Sequence, residues 1–193
     1  DRLEAHHARH IVLDPVMVAT SGAKLIDDDA ITALTERLFP LAEVITPNIP
    51  ETEVLLDLIA HRGASLDPAK WAEDTDREST RIVSDTAMED AGRTVSEHYG
   101  CAVLVKGGHG VADASDLLYA DGVATWIHGV RVDNPNTHGT GCTLSSAIAS
   151  NLAKGEALPD AIRHAKDYLT GALGAQLNLG HGSGPMDHAW HWR

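Results

Sequence analysis

The run Cys101-Ala102-Val103-Leu104-Val105 is apolar throughout and is cut off by Lys106-Gly107-Gly108. A strand with one wet face alternates polar and apolar residues, whereas an unbroken β-branched run suits a strand covered on both faces, which is the parallel arrangement. Such a strand demands helices on either side of its sheet, and the rest of the chain supplies the alternation. Ile11-Val12-Leu13-Asp14-Pro15 reads as a buried strand with Asp14 at its C-terminal tip. Asp27 to Asp29 can cap a helix whose positions Ile31, Leu34 and Leu38 follow helical spacing until Pro40. Glu43-Val44-Ile45-Thr46 is a second strand, broken by Pro47-Asn48-Ile49-Pro50-Glu51, which leads into a helix with Val54, Leu55, Leu58 and Ile59.

Helical spacing resumes from about Arg81 through Val83, Ala87, Ala91 and Val95, and Gly100 stops it before the central strand. Leu117-Leu118-Tyr119 and Val123 to Ile127, joined across Asp121-Gly122, predict an antiparallel hairpin closing one sheet edge. Val130 to Asp133 is expected to add a strand. Leu144, Ile148, Ala149 and Leu152 define a helix ending near Gly155, and a last helix is expected over Leu158 to Leu177. The fold class is therefore α/β: a three-layer α/β/α sandwich, its sheet mostly parallel with an antiparallel edge hairpin, taking ligands at the carboxyl ends of the strands. The polar stretch at 61–80 has no sustained apolar period and is expected to be a poorly ordered insertion.

At 193 residues and 43% hydrophobic content, one domain with a sizeable core is expected. A net charge of −13 argues against nucleic acid and anionic membrane as partners, since both are held by clustered Lys and Arg. An anionic ligand must then be gripped locally, by backbone amides, isolated lysines or a divalent metal. No run approaches the ~20 apolar residues that span a bilayer, and the polar start at Asp1 to His10 does not read as a signal segment, so a cytoplasmic location is expected. Cys101 and Cys142 are expected to be free thiols. His6, His7, His10, His188 and His191 are ascribed to polar termini rather than to zinc. Gly180-His181-Gly182-Ser183-Gly184 lacks the preceding strand of a dinucleotide fingerprint and fits a tail contact with a nucleotide better.

Gly139-Thr140-Gly141-Cys142-Thr143 is the most informative segment for chemistry. Its two glycines let a ligand approach the backbone, and the helix that follows presents unpaired amides and a positive dipole end. Preorganised donors of this kind stabilise charge on a transferred phosphoryl group. An ordinary glycine turn before a helix fits the same residues.

The string Asn136-Thr137-His138-Gly139-Thr140-Gly141-Cys142-Thr143-Leu144-Ser145-Ser146-Ala147-Ile148-Ala149 resembles the signature of hydroxymethylpyrimidine/phosphomethylpyrimidine kinases, members of the ribokinase-like superfamily whose sugar kinases have Asp where Cys142 stands. Leu13-Asp14-Pro15-Val16-Met17-Val18, Thr46 to Glu51, Val105 to His109 and Gly182 to His188 join it in the family's order. The resemblance implies a kinase using ATP and Mg2+ to phosphorylate a hydroxymethylpyrimidine and its monophosphate in thiamine biosynthesis. The alternatives are a pyridoxal kinase of the same superfamily and a catalytically incomplete nucleotide-binding module.

By the same resemblance Cys142 is the base or polariser for the substrate hydroxymethyl group, backed by Gly139, Thr140 and Gly141. Asn48 and Glu51, with Asp14, organise magnesium; Lys106 and Lys166 approach the nucleotide phosphates; Met17 packs on the pyrimidine ring. Each has a plainer reading. Cys142 fits a small buried residue, Glu51 a helix-start carboxylate, Asp14 a strand stop, Lys106 a solvated strand end, Lys166 an exposed helix face, and Met17 core filling. His138 lies beside the loop with no role assigned. Family members begin with a strand and a glycine-containing loop ahead of an Asp14-like segment. The resemblance therefore implies a sheet edge and apolar helix faces covered by a further N-terminal segment or by a second copy in a homo-oligomer.

Overall fold

The computed structural model describes residues 2–18, 25–60, 80–107, 114–134, 138–177, 179 and 184–192. The insertion expected at 61–80 lies outside them except for Thr80, as do residues 180–183 of the tail. Two compact units divide the chain: Asp1–Gly107 with Asp116–Trp126, and Gly108–Ser115 with Ile127–Arg193.

The first unit holds the sheet, in the order β1-β2-β3-β4-β5. Strands β1 (Val12–Leu13), β2 (Val44–Ile45) and β3 (Ala102–Val105) run parallel, with Leu13 opposite Ile45 and Ile45 opposite Val103. Strand β4 (Asp116–Ala120) pairs antiparallel with β3, and β5 (Val123–Ile127) returns along it at the edge. Asp121 and Gly122, at φ 52° and 77°, both take the left-handed conformation that a two-residue hairpin turn needs. A short N-terminal helix, α1 (Arg2–Ala5), precedes β1, α2 (Asp28–Ala33) leads toward β2, α3 (Ile49–Ala60) follows β2, and α4 (Asp85–Tyr99) feeds β3. This is the α/β alternation expected from the sequence, with the parallel strands β1 to β3 on one side of the sheet and the antiparallel hairpin on the other.

Helix α4 packs on α3, β3 and β4. Gly92 allows the close approach, because a Cβ there would stand 3.3 Å from Leu117 Cδ2. Beneath lies a core of Met17, Phe39, Ile45, Leu55, Val95, Val103, Val105 and Leu117. Phe39 is fully buried and meets Tyr99 edge to face, ring centroids 4.9 Å apart.

Three expectations for the helices are corrected. The helix expected to run to Pro40 leaves α geometry at Leu34 and continues as a π turn, Leu34–Leu38, and a 3-10 turn, Phe39–Leu41. Pro40 has no N–H to continue the ladder, and Thr35 Oγ1 donates to the carbonyls of Ile31 and Thr32 at 3.0 and 3.2 Å instead. The helix expected from Arg81 begins at Asp85, because Ser84 caps it by accepting from the Ala87 amide at 3.1 Å. Ile82 is drawn away, its amide donating to Glu53 Oε1 at 2.9 Å. The last helix stops at Gly174, short of Leu177.

The second unit is built on α5 (Thr140–Ala153) and α6 (Leu158–Gly174), which pack on each other. Buried Asn151 of α5 holds the Ala161 carbonyl of α6 at 3.1 Å. The strand expected at Val130 to Asp133 does not form. A side chain takes one of its backbone groups: Gln176 Nε2 donates to the Asp133 carbonyl at 3.0 Å, while the neighbouring Asn134 Nδ2 ties the end of the segment to the Leu173 carbonyl at 2.7 Å.

Burial raises the Cys101 thiol to about 11 and, as the larger of two causes, the Tyr99 phenol to about 12, the Cys101 thiolate adding to the latter. Both ordinary values lie lower, so the unfolded chain loses these protons first and the folded chain binds more protons through that window. Stability then falls as pH rises. A thermal midpoint followed from pH 8 to 11 should decline steadily, more than in a Cys101→Ala, Tyr99→Phe variant; equal declines would rule out these two groups as the cause.

Candidate active site

Asp14, Thr46 and Lys106 stand at or just past the C-terminal ends of β1, β2 and β3, so the parallel register sets them side by side. The β2/β3 ladder extends as a bridge between Asn48 and Lys106, with the Lys106 amide donating to the Pro47 carbonyl at 2.8 Å. Asp14 Oδ1 accepts from Lys106 Nζ at 2.6 Å and from Thr46 Oγ1 at 2.9 Å. Both charged side chains are largely shielded, at 12% exposure for Asp14 and 17% for Lys106.

Asn48 and Glu51 clasp each other at the start of α3. The Asn48 amide donates to Glu51 Oε2 and the Glu51 amide to Asn48 Oδ1, each at 2.8 Å. This is a reciprocal capping box. Glu51 is 2% exposed, and burial pushes its carboxyl above the ordinary range. The Asn48 amide, Lys106 and the Met17 amide pull it down, while the Asp14 charge pushes it up, so Glu51 senses each of these groups.

Among the described residues no three His, Cys, Asp or Glu side chains gather as a metal cluster. The strand tips nevertheless fit Mg2+, which is commonly held by one or two carboxylates, water and substrate phosphates rather than by an all-protein cage. Asp14 and Glu51 would supply the hard oxygens. Asn48 Oδ1 is committed to the Glu51 amide, which gives it the part of orienting Glu51.

In the second unit Gly139 is the N-cap of α5 at φ 82°, a left-handed conformation that glycine adopts without strain. Its carbonyl accepts from the Thr143 amide at 2.9 Å, which starts the helical ladder. The amides of Thr140, Gly141 and Cys142 precede that first bond and point out of the helix start. Cys142 is a free, exposed thiol in this first turn, and His138 before it is also exposed. Cys101, the other thiol, is free and buried.

The sequence of phosphomethylpyrimidine kinases matches this chain over residues 1–77 and 76–187, covering both the strand tips and the helix start. The chain belongs to the phosphomethylpyrimidine kinase family. It is 39% identical over 183 residues to the hydroxymethylpyrimidine/phosphomethylpyrimidine kinase of Haemophilus influenzae, covering 92% of this chain and 60% of that one. With the thiamine biosynthesis bifunctional protein ThiED of Geobacter sulfurreducens it shares 42% identity over 188 residues, covering 97% of this chain and 34% of that protein. The chain thus spans less than two thirds of either relative. Among solved structures, the ADP complex of Bacillus subtilis pyridoxal kinase superposes with a TM-score of 0.75 at 28% identity, over 98% of this chain and 64% of that one. The phosphomethylpyrimidine kinase of Clostridium difficile gives 0.63 at 30% identity, over 87% and 59%.

Of the residues singled out by the kinase motifs, the first unit brings together Asp14, Asn48, Glu51 and Lys106, and the second sets Gly139, Thr140, Gly141 and Cys142 in one helix start. Met17 is fully buried in the core, which agrees with its plainer reading as core filling. Lys166 departs from the plainer reading of an exposed helix face. It is buried, and its Nζ bonds to the Ala114 carbonyl.

Two residues at the strand tips carry roles that sequence reasoning did not assign. Thr46 is fully buried and orients Asp14. Asp116, 5% exposed, accepts from the Gly107 amide at 2.9 Å and so steadies the turn after Lys106. The signal for Asp116 was a carboxylate directly before an apolar strand, where solvent is scarce.

Proposed function

We propose that the chain carries the nucleotide-binding and catalytic part of a cytoplasmic kinase. In this reading it transfers the γ-phosphoryl group of ATP to the hydroxymethyl oxygen of a hydroxymethylpyrimidine, and then to the monophosphate, in thiamine biosynthesis. The observation that carries the reading is the left-handed Gly139 turn, which exposes the first amides of α5 with the Cys142 thiol among them. Family membership and the curated relatives' names agree with it. Among the described residues no helix is long and apolar enough to cross a membrane.

Cys142 takes the proton of the substrate hydroxyl as its oxygen attacks phosphorus. The bond from the γ-phosphorus to the bridging oxygen breaks, and ADP leaves with the electron pair. The amides of Thr140, Gly141 and Cys142 donate to the migrating phosphoryl oxygens as charge builds on them. Lys106 neutralises nucleotide phosphates, with Lys166 as a second cation on α6. Asp14 and Glu51 hold Mg2+, which when bound screens the phosphate charge. Met17 packs on the pyrimidine ring in this reading.

Pyridoxal kinase is the second reading, favoured by the TM-score of 0.75 to the Bacillus subtilis enzyme. Turnover assays offering a hydroxymethylpyrimidine and pyridoxal in competition, with ATP and Mg2+, should consume the pyrimidine preferentially in terms of kcat/KM. Preference for pyridoxal would transfer the assignment. Calorimetric binding of an ATP analogue without phosphorylation of either alcohol would instead leave a nucleotide-binding module.

A further inference from the structure

One oxygen of Asp14 serves two donors, the Lys106 ammonium at 2.6 Å and the Thr46 hydroxyl at 2.9 Å. That leaves Oδ2 outside both bonds. Glu51 lies within electrostatic reach of both Asp14 and Lys106, while the ammonium itself is bonded to Asp14. All four side chains are shielded: Thr46 and Glu51 are essentially inaccessible, and the ion pair is less than one-fifth exposed. Charges held this far from solvent interact more strongly than surface pairs. A divalent cation bound by the two carboxylates would sit within a few Å of the ammonium, where two like charges oppose each other.

We propose that Lys106 and a divalent cation are alternative partners of Asp14. The ammonium holds the carboxylate until nucleotide phosphates draw it off, the cation then takes the freed oxygen, and Thr46 keeps Asp14 aimed throughout. Thr46 is a positioning residue, since it acts through Asp14. Metal and nucleotide therefore bind synergistically: each removes the competitor that weakens the other. This inference rests on the kinase reading and adds to it a coupling between metal and nucleotide.

The probe is Mn2+ alone, titrated calorimetrically into the wild-type chain and the Lys106→Met variant without nucleotide. The variant should bind Mn2+ more tightly, by on the order of tenfold, a typical size for coupling between sites. Equal or weaker binding by Lys106→Met, or no binding by either protein, overturns the exchange. Because a buried lysine can be needed for folding, the wild type is tested in parallel by amidination and mass spectrometry. Added Mn2+ should raise the labelling rate of Lys106 several-fold, while exposed Lys154 serves as the unchanged reference. A Lys106 rate indifferent to saturating Mn2+ counts against the exchange. Thr46→Val should weaken Mn2+ binding measured without nucleotide, and unchanged Mn2+ affinity would remove Thr46 from the exchange. An ATP analogue titrated into the wild type separates the two levels: if it binds while Mn2+ affinity ignores Lys106, the exchange falls and the kinase reading stands, and if it does not bind, the kinase reading itself falls.

Discussion

Replacing Cys142 with alanine should lower kcat by about 10²- to 10⁴-fold, the usual worth of a positioned proton acceptor, while nucleotide affinity stays within about twofold. The side chain is exposed in the first turn of α5, so its loss opens no cavity. Alanine is the better helix former and leaves the Gly139 turn and the neighbouring amides in place. A fall in kcat with unchanged nucleotide binding assigns the sulfur to the chemical step rather than to folding or ground-state binding. Cys142→Ser should stay nearly as slow, because a hydroxyl has far less anionic character than a thiol at neutral pH. Single-turnover phosphorylation of a hydroxymethylpyrimidine, with calorimetry on a non-hydrolysable ATP analogue, gives both quantities. Undiminished turnover in Cys142→Ala removes the sulfur from the reaction.

Phe39→Ala should destabilise the first unit by about 3–5 kcal/mol, the cost of emptying an aromatic site in a packed core. Phe39 is fully buried and loses its edge-to-face contact with Tyr99 in the variant. It is held in the 3-10 turn at Phe39–Leu41, where Pro40 limits how far the backbone can move to fill the void. Set against total stabilities of about 5–15 kcal/mol, such a loss leaves a large unfolded fraction at physiological temperature. Urea unfolding monitored by circular dichroism should show the midpoint falling with the slope unchanged, and Phe39→Leu should recover more than half of the loss. A shift worth less than about 1 kcal/mol would mean the site collapses around the smaller side chain.

The parallel strands were legible because their signal is local. Val103 to Val105 and the shorter runs at Val12 and Val44 announce burial residue by residue, and the proline and glycine breaks mark their ends. Asp121-Gly122 likewise dictates its own turn, since few other pairs accept two positive φ values. The strand expected at Val130 to Asp133 failed for the opposite reason. Its apolar alternation was real, but Gln176 and Asn134 claim the region through contacts made more than 35 residues away along the chain. A propensity reading has no access to such partners. The turn around Leu34 was missed for a different reason: its causes, Thr35 and Pro40, are local, but helical spacing of apolar residues does not distinguish an α turn from a π turn.

The sequence by itself determined the alternation of strands and helices, the acidic balance that makes any anion site local, and the thiol at residue 142 directly behind a Gly-Thr-Gly turn. Each follows from neighbouring residues or from composition. Only the tertiary structure decided that Lys106 and Asp14, 92 residues apart, form one shielded ion pair, that Thr46 shares its oxygen, and that Lys166 is buried rather than solvated. Those are consequences of strand register and helix packing, which bring distant residues within hydrogen-bond reach and withdraw the water that would otherwise separate their charges.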